Sequence, residues 1–330
     1  MKDPRELQIG IVGCGGISRM HVQAYKQAGA RIGLVYDVNC AAAETLAKEV
    51  GAQVADSVAV MAQPGAIDAV SICTPPAFHL EHCLPFVRAR IPVLCEKPLE
   101  ISVPRAKRLA AEVKKRRSLF MTAYCHRFHP PVIEAKKLIA SGAIGRPLFF
   151  RNMFAGKFVL KGNHRADPKL SGGGCVADNA AHAVDIFRFL VGDVTAVQAQ
   201  VANVAQKEKV EDFGLLFLRG KKGCYGEIAC CYSTPVATNF VEVLGDKGTI
   251  TISYWVQGRP DITIRRVGDS ADTVIDVSQA PDRFTAEVRH FLDCVVGKAK
   301  PAVSVADGLA SAQVIAAAYA SAKSGKLIRI

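Results

Sequence analysis

Five short apolar runs, at residues 7–12, 31–36, 66–73, 92–95 and 119–124, alternate with helical patterns up to about residue 28 and at 41–50, 78–89 and 103–115. Strands that alternate with helices pair parallel, because each crossover helix returns the chain to the same end of the sheet with right-handed connections. The first 124 residues therefore read as an α/β domain with a doubly wound parallel sheet. After residue 125 the rhythm changes. Two helical stretches, 131–141 and 177–191, are followed by strand-like segments at 194–203, 213–218, 224–232, 240–244, 249–253 and 262–267. Turn signals such as Gly220-Lys221-Lys222-Gly223 and Gly245-Asp246-Lys247-Gly248 separate them, which predicts an antiparallel meander. An alanine-rich helix at 305–324 follows, and 327–330 adds a further strand-like piece. The expected organisation is a doubly wound α/β domain over 1–124 and an α+β domain over 125–330 with a large open, mainly antiparallel sheet. Helix 305–324 is expected to pack back on the first domain.

With 330 residues the chain exceeds what one core usually holds, which agrees with two domains. No apolar run reaches the roughly 18 to 20 residues of a membrane helix, and no signal-peptide pattern opens the chain at Met1-Lys2-Asp3-Pro4. A cytoplasmic protein without membrane contact is expected. The 11 cysteines include no Cys-x-x-Cys pair and read as reduced, mostly buried thiols. The net charge of +12 raises nucleic acid as a partner. However, the densest basic run, Lys114-Lys115-Arg116-Arg117, ends a helical pattern, where cations suit the helix dipole. It has no interleaved aromatic residues, so no nucleic acid is expected.

Gly13-x-Gly15-x-x-Ser18 follows the first strand and opens the first helix. Gly13 permits a tight turn, and Gly15 lets the backbone approach a pyrophosphate. Helix-start amides around Gly16 and Ile17 face the phosphates. Ser18 stands where the fingerprint has its third glycine and is still small enough for close packing. Asp37 ends the second strand, where a carboxylate accepts hydrogen bonds from the adenosine ribose hydroxyls and repels a 2′-phosphate. No Lys or Arg follows in Val38-Asn39-Cys40, so the pattern favours NAD over NADP.

Two further segments, Thr74-Pro75-Pro76-x-x-His79 and Glu96-Lys97-Pro98, join this turn. A third is Gly172-Gly173-Gly174-x-x-x-Asp178-x-x-x-His182-x-x-Asp185. Together they resemble the glucose–fructose oxidoreductase, inositol dehydrogenase and rhizopine-catabolism family (Gfo/Idh/MocA), from about residue 7 onward. The resemblance implies a two-domain enzyme with NAD at the carboxyl edge of the first sheet. Thr74, Pro75 and His79 would lie along the cofactor, and Glu96 and Lys97 near the nicotinamide. It also implies a cis bond before Pro98, a sugar, inositol or polyol substrate, and a homodimer or homotetramer formed through the open sheet face. Tyr124-Cys125-His126-Arg127-Phe128 is similar to the family segment after the last parallel strand. In that segment Cys125 is placed toward the nicotinamide, and Arg127 either on substrate or as a structural brace.

Oxidising an alcohol requires a hydride acceptor and a group that takes the hydroxyl proton. Asp178 and His182 stand four residues apart on a predicted helix and so share a face, with Asp185 three beyond. Ile186, Phe189 and Leu190 would anchor that helix. The three preceding glycines would let the loop come close to a ligand. Imidazole suits proton transfer near neutral pH, which makes His182 the candidate base. Lys97 at a strand end would stabilise the developing alkoxide. Singly, a helical histidine and a surface lysine carry no chemistry. The family pattern is what assigns Lys97, Asp178 and His182 to one triad. Asn179, His164 and Arg165 are softer candidates for substrate contact. His79-x-x-His82 and His126-x-x-His129 have ligand-like spacing but no convincing third ligand, so no metal is expected. Two other activities remain open on the same site: glycoside cleavage by oxidation and elimination, and non-enzymatic dinucleotide sensing.

Overall fold

The computed structural model describes residues 3–237, 239–254 and 261–330, so Met1 and Lys2 of the N-terminal segment lie outside it. The chain divides into two compact units. One runs to Cys125 and includes Asp282–Ala312; the other comprises His126–Pro281 and Gln313–Ile330.

In the first unit β1 (Gln8–Val12), α1 (Gly16–Ala28), β2 (Arg31–Tyr36), α2 (Cys40–Val50), β3 (Gln53–Val54), α3 (Val58–Met61), β4 (Ala69–Ile72), α4 (His79–Ala89), β5 (Val93–Glu96), α5 (Val103–Arg116) and β6 (Phe120–Ala123) follow in turn. The six strands are all parallel, in the order β3-β2-β1-β4-β5-β6. This is the doubly wound sheet expected, with the order reversing beside β1. Strands β4, β5 and β6 are buried along their whole length, because helices cover the sheet. Local chemistry sets the helix ends. Asn39 caps α2 through a bond from the Ala42 amide (3.3 Å), and Gly29 and Gly51 end α1 and α2 in left-handed conformation. The basic run falls on the last turn of α5, as the dipole argument predicts.

The second unit holds α6 (Pro130–Ala140), β7 (Pro147–Ala155), α7 (Pro168–Ser171), α8 (Ala181–Val191), β8 (Val194–Ala202), β9 (Phe213–Gly220), β10 (Tyr225–Cys231), β11 (Asn239–Gly245), β12 (Gly248–Tyr254), β13 (Ile262–Arg266) and β14 (Thr273–Val274). The first unit then gains α9 (Arg283–Val295), and the chain closes with α10 (Val305–Ser324) and β15 (Ile328–Arg329). The second sheet has nine strands, ordered β14-β13-β12-β11-β7-β10-β9-β8-β15.

Two features correct the sequence expectation. Strand β7 was not foreseen, yet it occupies the middle of the sheet, antiparallel to β11 and parallel to β10. The segment is therefore a mixed sheet rather than a pure meander. Helix α9 was also not foreseen. Its apolar face, Phe284, Val288, Phe291 and Leu292, is buried, and its Thr285 hydroxyl bonds Gln27 of α1. This packing groups Asp282–Ala312 with the first unit, where Val305, Leu309 and Ala312 meet the core around Leu99 and Leu109.

One face of the second sheet is covered by α8, whose Phe187 meets Phe150 edge-on with ring centroids 5.3 Å apart. Gly226 leaves room for that ring, since a Cβ there would lie 2.8 Å from it. The opposite face alternates half-exposed residues, among them Phe149, Arg151 and Met153 on β7. Phe217 and Tyr225 on this face are 49% and 54% exposed. No described helix is long and apolar enough to cross a membrane. All 11 cysteines are free, and Cys40 alone is exposed.

Candidate active site

The glycine turn links β1 to α1. Gly13 has φ +93°, and a Cβ there would come within 2.7 Å of the Cys73 and Thr74 backbone, so only glycine fits. A Cβ on Gly15 or Gly16 would meet nothing within 4 Å, which leaves open space over the turn. Gly15 is the N-cap of α1 and supplies no side-chain acceptor to the first amides, around Gly16 and Ile17. Ser18 is fully buried and donates back to the Gly15 carbonyl (2.7 Å), so it closes the turn where a third glycine would stand. Asp37 lies just past β2. Its carboxylate accepts from the Cys14 amide (2.7 Å) and from the Asn39 amide (2.8 Å). The turn and the acid are thus tied together, and the half-exposed carboxylate keeps lone pairs for further donors. An open glycine cradle, amides without a side-chain cap and an adjacent carboxylate fit a dinucleotide. Burial and the Asp37 charge push the Cys14 thiol up to about 12, which makes it a neutral spacer.

The next strand ends add Thr74 and Pro75, both half-buried, and Glu96 with Lys97. The Lys97–Pro98 bond is cis. The expectation that His79 touches a cofactor is corrected. The ring is fully buried, with Nε2 2.9 Å from the Thr74 carbonyl and Nδ1 3.0 Å from the Pro98 carbonyl. It pins the Thr74 loop to the Lys97–Pro98 segment. Two carbonyl partners are satisfied only by a doubly protonated ring. Burial opposes that charge, but Cys95 and the Thr74 carbonyl outweigh it and raise the pKa to about 9. His82 turns elsewhere, bonding the Thr74 hydroxyl (3.1 Å) and stacking on Phe78. Cys125 is buried, and burial raises its pKa, so it is a thiol.

In the second unit, Asp178 lies on a π-helical turn, Val176–Ala180, that runs into α8. The sequence predicts a plain α-helix here. The π turn forms where Glu211 takes over the first amides: its Oε1 accepts from Gly174 and Val176 at 2.9 Å each and from the Tyr319 hydroxyl at 2.8 Å. This also corrects the reading of the three glycines. They admit the chain's own neighbours rather than a ligand: a Cβ on Gly174 would lie 1.8 Å from the Glu211 carbonyl oxygen, and one on Gly173 1.9 Å from the Tyr319 hydroxyl.

Asp178 Oδ2 accepts from Arg165 Nε (3.0 Å) and from the Tyr232 hydroxyl (2.5 Å). Arg165, a softer candidate for substrate contact, is this partner, with its guanidinium 5.2 Å over the Phe158 ring. Tyr232 was not foreseen. Burial and then the Asp178 charge raise its pKa far above the usual phenol value, so it remains a donor. Arg127, expected either on substrate or as a brace, is buried and grips Asp185 with two bonds of 2.7 Å. That fork braces α8, the second of the two roles. His182 is buried on α8, its ring centroid 4.2 Å from that of His126. Asn179 is half-buried and reaches the Phe154 carbonyl only at 3.4 Å. His164 sits on an exposed turn beside Arg165, and burial of its ring, then that neighbour's charge, lower its pKa.

Residues 7–124 match the model of an oxidoreductase family with an NAD-binding Rossmann fold, and residues 132–251 match the GFO/IDH/MocA C-terminal domain. The chain belongs to the GFO/IDH/MocA family. It is an NAD-binding oxidoreductase. Among its curated relatives are an inositol 2-dehydrogenase of Rubrobacter xylanophilus, 27% identical over 98% of this chain and 93% of that protein, and a scyllo-inositol 2-dehydrogenase (NAD(+)) of Bacillus subtilis, 25% identical over 98% and 96%. The solved structure of levoglucosan dehydrogenase in complex with NADH and levoglucosan has the same fold, with TM-score 0.90 and 22% identity over 98% of this chain and 99% of that one.

The sequence carries no motif for three groups that hold others in place: His21 on α1, whose Nε2 lies 2.9 Å from Glu96 Oε1, Tyr232 on Asp178 and Glu211 under the π turn. His21 was the most accessible of these, since a histidine on the buried side of a helix packed on a sheet needs a polar partner.

Proposed function

We propose that this protein is an NAD-dependent dehydrogenase that oxidises a secondary alcohol of a sugar, inositol or related polyol. The observation that carries the cofactor half is the Asp37 carboxylate tied to the Cys14 amide beside the open glycine turn. The names of the inositol and sugar dehydrogenase relatives support the substrate class. Gly13, Gly15, Gly16 and Ile17 would hold the pyrophosphate, Asp37 the adenosine ribose, and Thr74, Pro75, Glu96 and Lys97 the nicotinamide half. The bound dinucleotide supplies the hydride acceptor. His182 takes the proton of the substrate hydroxyl as its C–H bond yields hydride, and a ketone remains. Lys97 donates to the same oxygen and stabilises its developing negative charge. Asp178, fixed by Arg165 and Tyr232, orients the substrate hydroxyls, with Asn179 and His164 near it.

Two further readings accompany this one. The free thiols support the reducing cytoplasm as its compartment. The half-exposed apolar residues on the open sheet face, Phe217 and Tyr225 among them, support a homodimer or homotetramer formed there.

The test is a panel of inositols, aldoses, anhydrosugars and glycosides, followed by NADH absorbance at several pH values. On the best substrate, Lys97→Ala and His182→Ala are each expected to lower kcat by about 100-fold or more while NAD still binds. Near-normal turnover in either variant would refute its role. Release of an aglycone without net NADH would replace alcohol oxidation with glycoside cleavage.

A further inference from the structure

A buried polar chain runs beneath the carboxyl edge of the parallel sheet, outside the roles assigned above. On α1, His21 and Tyr25 are both fully buried. The Tyr25 hydroxyl lies 2.9 Å from Ser71 Oγ on β4, and Ser71 Oγ lies 3.2 Å from His21 Nδ1. His21 Nε2 lies 2.9 Å from Glu96 Oε1, and Glu96 Oε2 accepts from the Lys97 amide at 3.1 Å.

The chemistry sets the direction of the chain. An ionised carboxylate only accepts, so His21 Nε2 carries the proton. Nδ1 then accepts from Ser71, and Ser71 accepts from Tyr25. Burial and the neighbouring charges raise the Tyr25 pKa, so the phenol stays a donor. Burial alone would protonate Glu96, but the His21 hydrogen bond, then the Lys97 charge and amide, lower its pKa. The other titratable groups around this site are the buried thiols Cys73 and Cys125 and, on α9, Glu287 with Arg283. Both thiols are held neutral chiefly by burial. Glu287 adds negative charge, so His21 opposes both burial and that field.

We infer that His21 is a positioning residue for hydride transfer: by donating to Glu96 it keeps that carboxylate aimed at the Lys97 amide and so fixes the residue that handles the substrate hydroxyl. This rests on the role of Lys97 proposed above. Without the imidazole, Glu96 takes up a proton. A protonated carboxyl seeks an acceptor of its own, so its grip on the Lys97 backbone loosens.

The experiment uses the protein and four variants, His21→Phe, His21→Gln, Glu96→Gln and the double variant His21→Phe/Glu96→Gln. Two readouts are taken. One is the pH profile of kcat with NAD. The other is the infrared C=O stretch of a protonated carboxyl in cofactor-free protein, assigned to Glu96 by its loss in His21→Phe/Glu96→Gln. In His21→Phe the acid limb of kcat is expected to move up by about one pH unit or more, equivalent to a tenfold loss on that limb. The carboxyl band should appear near neutral pH, with substrate KM changed less than about twofold. His21→Gln, whose amide still reaches Glu96, should restore both the limb and the ionised carboxylate. A merely structural role would lower Tm without moving the limb. A folded His21→Phe in which Glu96 stays ionised, or whose limb is unmoved, overturns the inference. If His21→Phe does not fold, Glu96→Gln, which is neutral at every pH, must itself lower kcat across the whole profile, and an unchanged kcat there overturns it too. Normal turnover of Lys97→Ala would instead sink the role of Lys97, whatever the infrared readout shows.

Discussion

In the first unit the candidate residues stand at the ends of parallel strands: Gly13 after β1, Asp37 after β2, Thr74 after β4, Glu96 and Lys97 at β5. In the second unit Asp178 is held by Arg165, 13 residues before it, and by Tyr232, 54 residues after it. The first arrangement needs only sheet topology, because a parallel sheet brings all its carboxyl ends to one edge. The second needs a loop, a π turn and a strand end to meet, and no short segment encodes that meeting. Substitutions should therefore separate the two: at Asp37 in the first unit they should act on ligand affinity, at Asp185 in the second on stability.

The largest expected effect tests the second half of that contrast. Asp185→Ala leaves the buried Arg127 guanidinium without its carboxylate and should cost about 3–5 kcal/mol in urea unfolding. A cost below about 1 kcal/mol would show that the fork does not brace α8, and would return Arg127 to the candidates for substrate contact.

A smaller effect tests the first half. Asp37→Ala removes a charged acceptor for the ribose hydroxyls, worth about 1.5–3 kcal/mol. NAD affinity measured by calorimetry should fall about 10- to 100-fold, and NADP should lose less. Should NADP bind the unaltered protein more tightly than NAD, the reading of Asp37 fails.

The smallest effect on stability concerns the open face. Phe217 is half-exposed on β9, so Phe217→Glu should change unfolding by less than about 0.5 kcal/mol. If this face joins subunits, sedimentation should nevertheless show smaller particles than for the unaltered protein. An unchanged mass would remove Phe217 from any subunit contact.

The same contrast explains what could be read in advance. β2 and α10 match the expected ranges to the residue, because each is a continuous pattern bounded by clear turn or cap signals. The segment Pro147–Ala155 was passed over, although Phe150, Asn152 and Phe154 alternate inward with Arg151 and Met153 outward. Its polar inward residue, Asn152, breaks the apolar alternation; its Nδ2 donates to the Phe240 carbonyl across the ladder (2.9 Å). Helix α9 had a readable start, Asp282 capping Phe284 and Thr285, and an apolar spacing of 284, 288, 291 and 292. In the site, the roles of Arg127 and Arg165 stay open in the sequence because it shows a charge but not its partner.

The sequence by itself determined the parallel sheet and the glycine turn and marked Asp37, Lys97, Asp178 and His182 as candidates. Each of these depends on neighbours within one strand–turn–helix unit or on a contiguous motif. Only the tertiary structure decided the place of β7 between β10 and β11, the π turn under Asp178, the commitment of Arg127 to Asp185 and the line from His21 to Glu96. Buried polar groups must be paired, and their partners come from whatever distant segment packs against them, so that choice becomes visible only once the chain has folded.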